Sequence, residues 1–357
     1  MFGFKICLDL SSKECTNPKT SIVLTVFNQV NVIEEVIRGI CRNTQENFEL
    51  IIIDDSSTDG TSEKLCLLLP LLIHQPSLIF CKKLTRVFLA RSRISNFETA
   101  CDQRGIESSM SPIIILIQAD IFIEEFGFDV MLRDAIMATP TIFLLSSRGV
   151  QTHLVKKEQL LITNKIKTKL YEIFNFKVLP QVPMDNSSNN KETNEHLLFE
   201  KIFPNRGDFA ESGTAGFRGQ LLNSWESSTQ RYKSKIPKST IWVGLAGMRG
   251  PCVFRKERFL ELGGFDQKSF FLGFDDMDIC VRAYYSKQWS SGFYPITFSS
   301  PDHIGNTRRP RSRIQKLLLV FNHIIKSRNI RKSYLYYVLS NPEKYDSYTN
   351  KIISLQK

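Results

Sequence analysis

Leu50–Thr61 reads Leu-Ile-Ile-Ile-Asp-Asp-Ser-Ser-Thr-Asp-Gly-Thr, and the fold class follows from how that stretch is parsed. Ile51, Ile52 and Ile53 are three consecutive β-branched residues, which suits a strand buried on both faces. The run stops abruptly at carboxylates and hydroxyls. Asp54 to Gly60 reads as the turn leaving the strand, with Thr61 or Ser62 capping a helix from about Glu63. In an open α/β sheet, ligands bind beyond the carboxyl ends of the strands, so this turn is where polar chemistry is expected. Taken alone, turn composition explains Asp-Ser-Ser-Thr-Asp-Gly equally well.

The flanking chain repeats the pattern. Ser21–Val26 reads as a first strand, followed by a turn at Phe27-Asn28-Gln29. Val32, Ile33, Val36, Ile37 and Ile40 have helical spacing. Glu63–Leu69 reads as a short helix stopped by Pro70, Leu78–Cys81 as a third strand and Val87–Cys101 as a helix. Ile113–Ile117 is an apolar strand ending in Gln118-Ala119-Asp120, Val130–Ala138 a helix and Thr141–Leu145 a fifth strand. Regular structure returns at Thr240–Phe254, with helices at Arg258–Leu262 and Asp275–Tyr285 and a strand at Gly292–Phe298. Strands alternating with helices predict an α/β fold with a mostly parallel central sheet flanked by helices. The divisions are an N-terminal lead over 1–20, a first half over 21–149, an insertion over 150–238, a second half over 239–305 and a basic helical extension over 306–357. Within that extension, Ile314–Ile325 and Ser333–Leu339 read as helices.

Composition narrows the class. The chain has 357 residues, 42% hydrophobic and 23% charged, as a water-soluble globular protein has. Its formal charge of +11 is local: Arg308–Lys332 holds nine basic and no acidic residues, so the rest is nearly neutral. That segment reads as a helix packed on the domain with a solvated basic face, or as an amphipathic helix lying on an anionic membrane surface. Nucleic acid is disfavoured, since no aromatic platform or RNA-binding signature accompanies the charge. Eight cysteines without a C-x-x-C pair argue against a zinc site and a disulfide framework, and for reduced thiols in a cytoplasmic setting. Residues 1–20 lack the apolar core of a signal peptide, and no apolar run approaches the ~20 residues of a membrane span.

Carboxylates stand at three element ends: Asp54/Asp55, Asp120, and Asp275/Asp276/Asp278. Gathered at one sheet rim, they would repel one another unless a cation or a donor-rich ligand lay between them. Together, Ser21–Asn28, Asp54–Thr61, Ala90-Arg91, Gln118-Ala119-Asp120 and Gly273-Phe274-Asp275-Asp276-Met277-Asp278 resemble, in order and spacing, the motifs of family 2 glycosyltransferases of the GT-A fold. The resemblance covers about 20–148 and 240–305. It implies transfer of a sugar from a nucleotide-sugar, usually UDP-linked, to an acceptor hydroxyl of a glycan or lipid-linked glycan, with inversion at the anomeric carbon.

The same resemblance assigns roles. Thr25, Phe27 and Asn28 match a Thr-Tyr-Asn triplet whose ring packs on the nucleobase. Asp55 matches the carboxylate that accepts a base N–H. Arg91 matches the Arg of an Ala-Arg-Asn signature, and reads equally as a packing residue. Gln118, Ala119 and Asp120 match the Asp-x-Asp motif, whose last carboxylate binds a divalent cation, Mn²⁺ or Mg²⁺, on the diphosphate. Asp276 matches the catalytic base, and the dipole of its helix favours the ionised form. His303 matches a histidine that joins the metal or diphosphate in some members, and Arg308 and Arg309 follow it. Trp242, Gly244, Gly247 and Met248 fall where the family shapes its acceptor pocket. Asp275 and Asp278 read as complements to the helix dipole, with Asp278 paired to Arg282. Gln118, where the family has Asp, removes one charge from the metal site. It leaves open a metal-independent enzyme or a catalytically silent homologue that binds nucleotide-sugar or a protein partner.

Overall fold

A computed structural model of the chain describes residues 3–12, 17–74, 81, 83–148, 150–151, 238–244, 246–268, 275–299 and 351–355. Its centre is a ten-stranded sheet in the order β1-β4-β3-β2-β5-β11-β7-β12-β9-β14. The strands of the first half are β1 (Phe4–Ser11), β2 (Thr20–Val26), β3 (Phe48–Asp54), β4 (Leu84–Ser92), β5 (Ile113–Gln118) and β7 (Ile142–Ser146). Those of the second are β9 (Thr240–Gly244), β11 (Cys252–Arg255), β12 (Ser290–Phe293) and β14 (Lys351–Ser354). Three two-residue pieces, β6 (Phe122–Ile123), β8 (Val150–Gln151) and β10 (Ala246–Gly247), pair outside it, as does β13 (Phe298–Ser299).

β3 shows why the sheet forms. Leu50 and Ile52 face one core layer, with the apolar residues of α1 (Ile33–Asn43), α2 (Thr61–His74) and α4 (Phe128–Ala138). Ile51 and Ile53 face the other, with α3 (Phe97–Ser108), α5 (Lys256–Glu261) and α6 (Asp275–Lys287). Side chains alternate across a strand, so an unbroken apolar run serves both layers. Helices on both faces of a large sheet make this an α/β protein, in agreement with the sequence.

The strands β4, β3, β2 and β5 are mutually parallel. β11 then lies antiparallel between β5 and β7, and β9 antiparallel to β12. The mostly parallel sheet expected from the sequence therefore describes the first half, and the second half makes it mixed. β11 and β12 join the halves: β11 pairs with β5 on one side and β7 on the other, and β12 pairs with β7.

Several local expectations are corrected. Val87–Cys101 is no single helix. It is the end of strand β4 and the start of α3, because Val87, Leu89 and their neighbours are pinned to β3 and β1. Of Leu78–Cys81, only Cys81 is described, and it is not in a strand. α2 runs through Pro70 to His74, since burial of Leu72 and Ile73 outweighs the hydrogen bond that proline removes. The N-terminal lead contains edge strand β1. The C-terminal extension, expected to be helical, ends in β14, which covers the edge of β9. Cys41 and Cys81 form a disulfide within the core, against the expectation of reduced thiols throughout. Their partnership spans 40 positions and joins the end of α1 to the entry of β4, which spacing cannot reveal. Residues 152–237 of the insertion and the helices expected at Ile314–Ile325 and Ser333–Leu339 lie outside the described residues.

Candidate functional site

The carboxyl ends of β2, β3 and β5 lie side by side, so the turns after them share one rim. Two of those turns are laced together. The Asn28 backbone N–H donates to Ser57 Oγ (2.8 Å), Asn28 Nδ2 donates to Thr58 Oγ1 (3.2 Å), and Asn28 Oδ1 accepts the Thr58 N–H (2.7 Å). The Gln29 N–H donates to Thr61 Oγ1 (2.8 Å). Asn28 (φ 48°) and Ser56 (φ 63°) both take the left-handed conformation, a strain that the mutual bonds hold in place. Phe27, at the tip of β2, is half-buried.

Arg91 fastens the β3 turn from below. Its Nη2 donates to the Ser57 carbonyl (2.7 Å), and its Nε lies 3.5 Å from the buried Asp54 carboxylate. Asp55 is buried, and each of its oxygens takes two donors. Oδ1 accepts Ser92 Oγ (3.0 Å) and the Asn96 N–H (2.6 Å), while Oδ2 accepts Ser95 Oγ (2.8 Å) and the Phe97 N–H (3.0 Å). A carboxylate offers about four lone-pair sites, and these four donors fill them. Asp55 thereby caps the first turn of α3.

α3 carries the next layer. Thr25 Oγ1 donates to Asp102 Oδ1 at 2.5 Å. Asp102 lies 2.7 Å from Arg249 Nη1, and Glu98 lies 3.4 Å from the same nitrogen. Arg249 also pairs with Asp275, and its backbone N–H points to Asp276 Oδ2 at 3.4 Å. Arg249 is 6% exposed, so one buried guanidinium gathers carboxylates from α3 and from the start of α6. Burial, opposed by Arg249 and reinforced by Glu98, pushes the Asp102 carboxyl up to about 7.

This hub brings Thr25, Asp276 and, through Glu98, Gln118 into one hydrogen-bonded and ion-paired network. Gln118 Nε2 donates to Glu98 Oε1 and Gln118 Oε1 accepts Arg148 Nη1, each at 2.6 Å. Asp120 follows two residues later and is partly exposed. Ala119 packs in the core and contributes no polar group. Asp276 is partly exposed, and its Oδ1 accepts the Met277 N–H (2.8 Å). Asp278 pairs with Arg282 at 2.8 Å, as the i,i+4 spacing implies. Gly247 packs against Leu144, so its small size serves the close approach of β10 to β7. His303, Arg308 and Arg309 lie outside the described residues.

The donor set is a poor fit to the divalent cation that the resemblance implies. A hard cation takes oxygen ligands, yet the Gln118 amide oxygen already receives a guanidinium, leaving Asp120 as the motif's carboxylate. Among the described residues, no three His, Cys, Asp or Glu side chains gather as metal ligands. Sequence reading missed Arg249, Asp102, Glu98 and Arg148. The signal within its reach was Arg249, a charged residue between Gly247 and Gly250 in an otherwise apolar strand region.

Residues 21–92 match the family model described as glycosyl transferase family 2. An uncharacterised glycosyltransferase of Rickettsia conorii is 37% identical over 54 residues, which is 15% of this chain and 9% of that protein. The chain thus matches only a small part of the curated relatives' length. Among solved structures, the mannosyltransferase PcManGT of Pyrobaculum calidifontis, in complex with GDP-Man and Mn²⁺, has a TM-score of 0.41 at 15% identity, covering 94% of this chain and 75% of that one. S. aureus TarS 1-349 in complex with UDP-GlcNAc has a TM-score of 0.41 at 12% identity, covering 92% and 73%.

Proposed function

We propose that the chain is a glycosyltransferase that moves a sugar, with inversion, from a UDP-linked donor to the hydroxyl of a glycan or lipid-linked glycan acceptor. The observation that carries this reading is the Arg249 hub. It ties the β2 residue Thr25, the Gln118–Asp120 turn and the candidate base Asp276 together, although their positions span about 250 residues. The family match over 21–92 supports it from the sequence side.

In this reading the nucleotide lies over the laced turns after β2 and β3, with Phe27 presenting a ring to the base. Asn28 and Arg91 hold those turns in shape. Asp276 takes the proton of the acceptor hydroxyl. The acceptor oxygen bonds to the anomeric carbon as the bond to the diphosphate breaks, and the electron pair leaves with UDP. The Arg249 N–H and the start of α6 aim the Asp276 carboxylate. The basic segment 308–332 would bring the enzyme to an anionic membrane surface on the cytoplasmic side. Among the described residues, no helix is long and apolar enough to cross a membrane.

UDP release is measured on mixing with a panel of nucleotide-sugars and acceptors. Asp276→Asn is expected to lower turnover about 10²-fold or more while leaving UDP binding intact. Turnover unaffected by Asp276→Asn removes Asp276 as base. UDP binding without turnover on any donor and acceptor favours the silent homologue.

A further inference from the structure

We propose that Arg148, held against the Gln118 amide, stands in for a divalent cation, so that this site binds a nucleoside diphosphate without a metal ion. The proposal rests on the transferase reading and concerns how the same site manages the charge of the diphosphate.

Gln118 is not merely an aspartate that has lost its charge. Its amide is used at both ends: the nitrogen donates to Glu98 and the oxygen accepts from Arg148, each at 2.6 Å. An aspartate at 118 would turn a second carboxylate toward Glu98 and could offer that group no donor. Glutamine is the residue whose two ends match an acid on one side and a guanidinium on the other. The amide orientation follows from those two partners.

The neighbourhood fixes this arrangement. A Cβ on Gly250 (φ +43°) would meet Gln118 Cγ and the Gln118 backbone N at 3.1 Å, so the turn before β11 presses against the glutamine. Ser147 N–H donates to the Pro251 carbonyl (2.8 Å), which ties the end of β7 to the same turn. The Arg148 N–H donates to Ser146 Oγ (3.1 Å). Arg148 therefore projects from a strand end fastened on two sides, and its guanidinium reaches Gln118, the last residue of β5 and two positions before Asp120. A planar guanidinium fork suits phosphate oxygens and is charged at every working pH. A cation placed on Gln118 Oε1 would meet that positive charge at close range. Gln118 and Arg148 thus form one unit, in which a fixed charge on the protein replaces a bound ion.

The test is calorimetric titration of UDP, and separately of GDP, into the full chain in EDTA and in MnCl₂. The expected result is binding in EDTA that Mn²⁺ changes less than threefold. Arg148→Ala should weaken binding at least tenfold in EDTA, and Arg148→Lys by less, with thermal melts unchanged. Binding that requires Mn²⁺ overturns the proposal and leaves the transferase reading in place. Metal-free binding untouched by Arg148→Ala also overturns it. Failure to bind either nucleotide under both conditions removes the transferase reading and this proposal together.

Discussion

Arg249→Met removes the cation at the centre of the hub and leaves side-chain volume nearly unchanged. Arg249 is 6% exposed, and the side chains of Asp102 and Asp275 are 3% and 1% exposed, so neither carboxylate gains water in its place. Removing one partner of a buried ion pair costs about 3–5 kcal/mol, a large share of the ~5–15 kcal/mol that holds a domain folded. The cost should depend on pH in one direction. Asp102 is raised to about 7 in the folded protein against an ordinary 3.8. Between those values the native state holds a proton that the unfolded chain has lost, so its contribution to stability falls as pH rises and levels off above about 7. Without Arg249 the Asp102 carboxyl is pushed higher still, and the fall continues past 7. The gap between variant and wild type should therefore grow above pH 7, by about 1.4 kcal/mol per pH unit, and stay flat just below it. Urea denaturation followed by tryptophan fluorescence at pH 6, 7, 8 and 9 measures this. A loss under about 1 kcal/mol, or a gap that does not widen from pH 7 to 9, would refute the hub as a buried, charge-compensated centre.

Asp55→Ala strips two backbone N–H groups at the start of α3 of their acceptor, together with two serine hydroxyls. We expect a loss of about 2–4 kcal/mol from the missing cap and charge-assisted bonds, with faster amide exchange in the first turn of α3. If Asp55 served only a nucleobase, stability would hold and UDP affinity alone would fall. Gly105→Ala should destabilise by about 1–3 kcal/mol in thermal or urea melts, despite alanine's better helix propensity. The added Cβ would stand 2.5 Å from Val23 Cγ1, where α3 meets β2, and an unchanged midpoint would mean that the helix can shift away.

The candidate site divides along the same physical line as the fold. Strand β3 was legible because three β-branched residues in a row suit one environment, a strand covered on both faces. Asp54, Asp120 and Asp276 were legible as ends of regular elements, because carboxylates interrupt apolar runs there. The identity of Asp55's partners was not. Ser92, Ser95, Asn96 and Phe97 lie about 40 positions away, and only the parallel pairing of β3 with β4 brings them close. The same limit hid the turn between β4 and α3, since Val87–Cys101 carries apolar residues compatible with either state.

The sequence by itself determined the α/β class, the order of the main elements and the positions where chains of apolar residues give way to acids. Those properties are local, set by side-chain branching, spacing and turn chemistry within a few residues. Only the tertiary structure decided which acids meet which cations. Arg249 gathers Asp102 and Asp275, Arg148 meets Gln118, and Cys41 finds Cys81, all because the sheet brings distant segments together. A charge pairs with whatever lies within a few ångströms, and that neighbourhood is a property of the fold and not of the string.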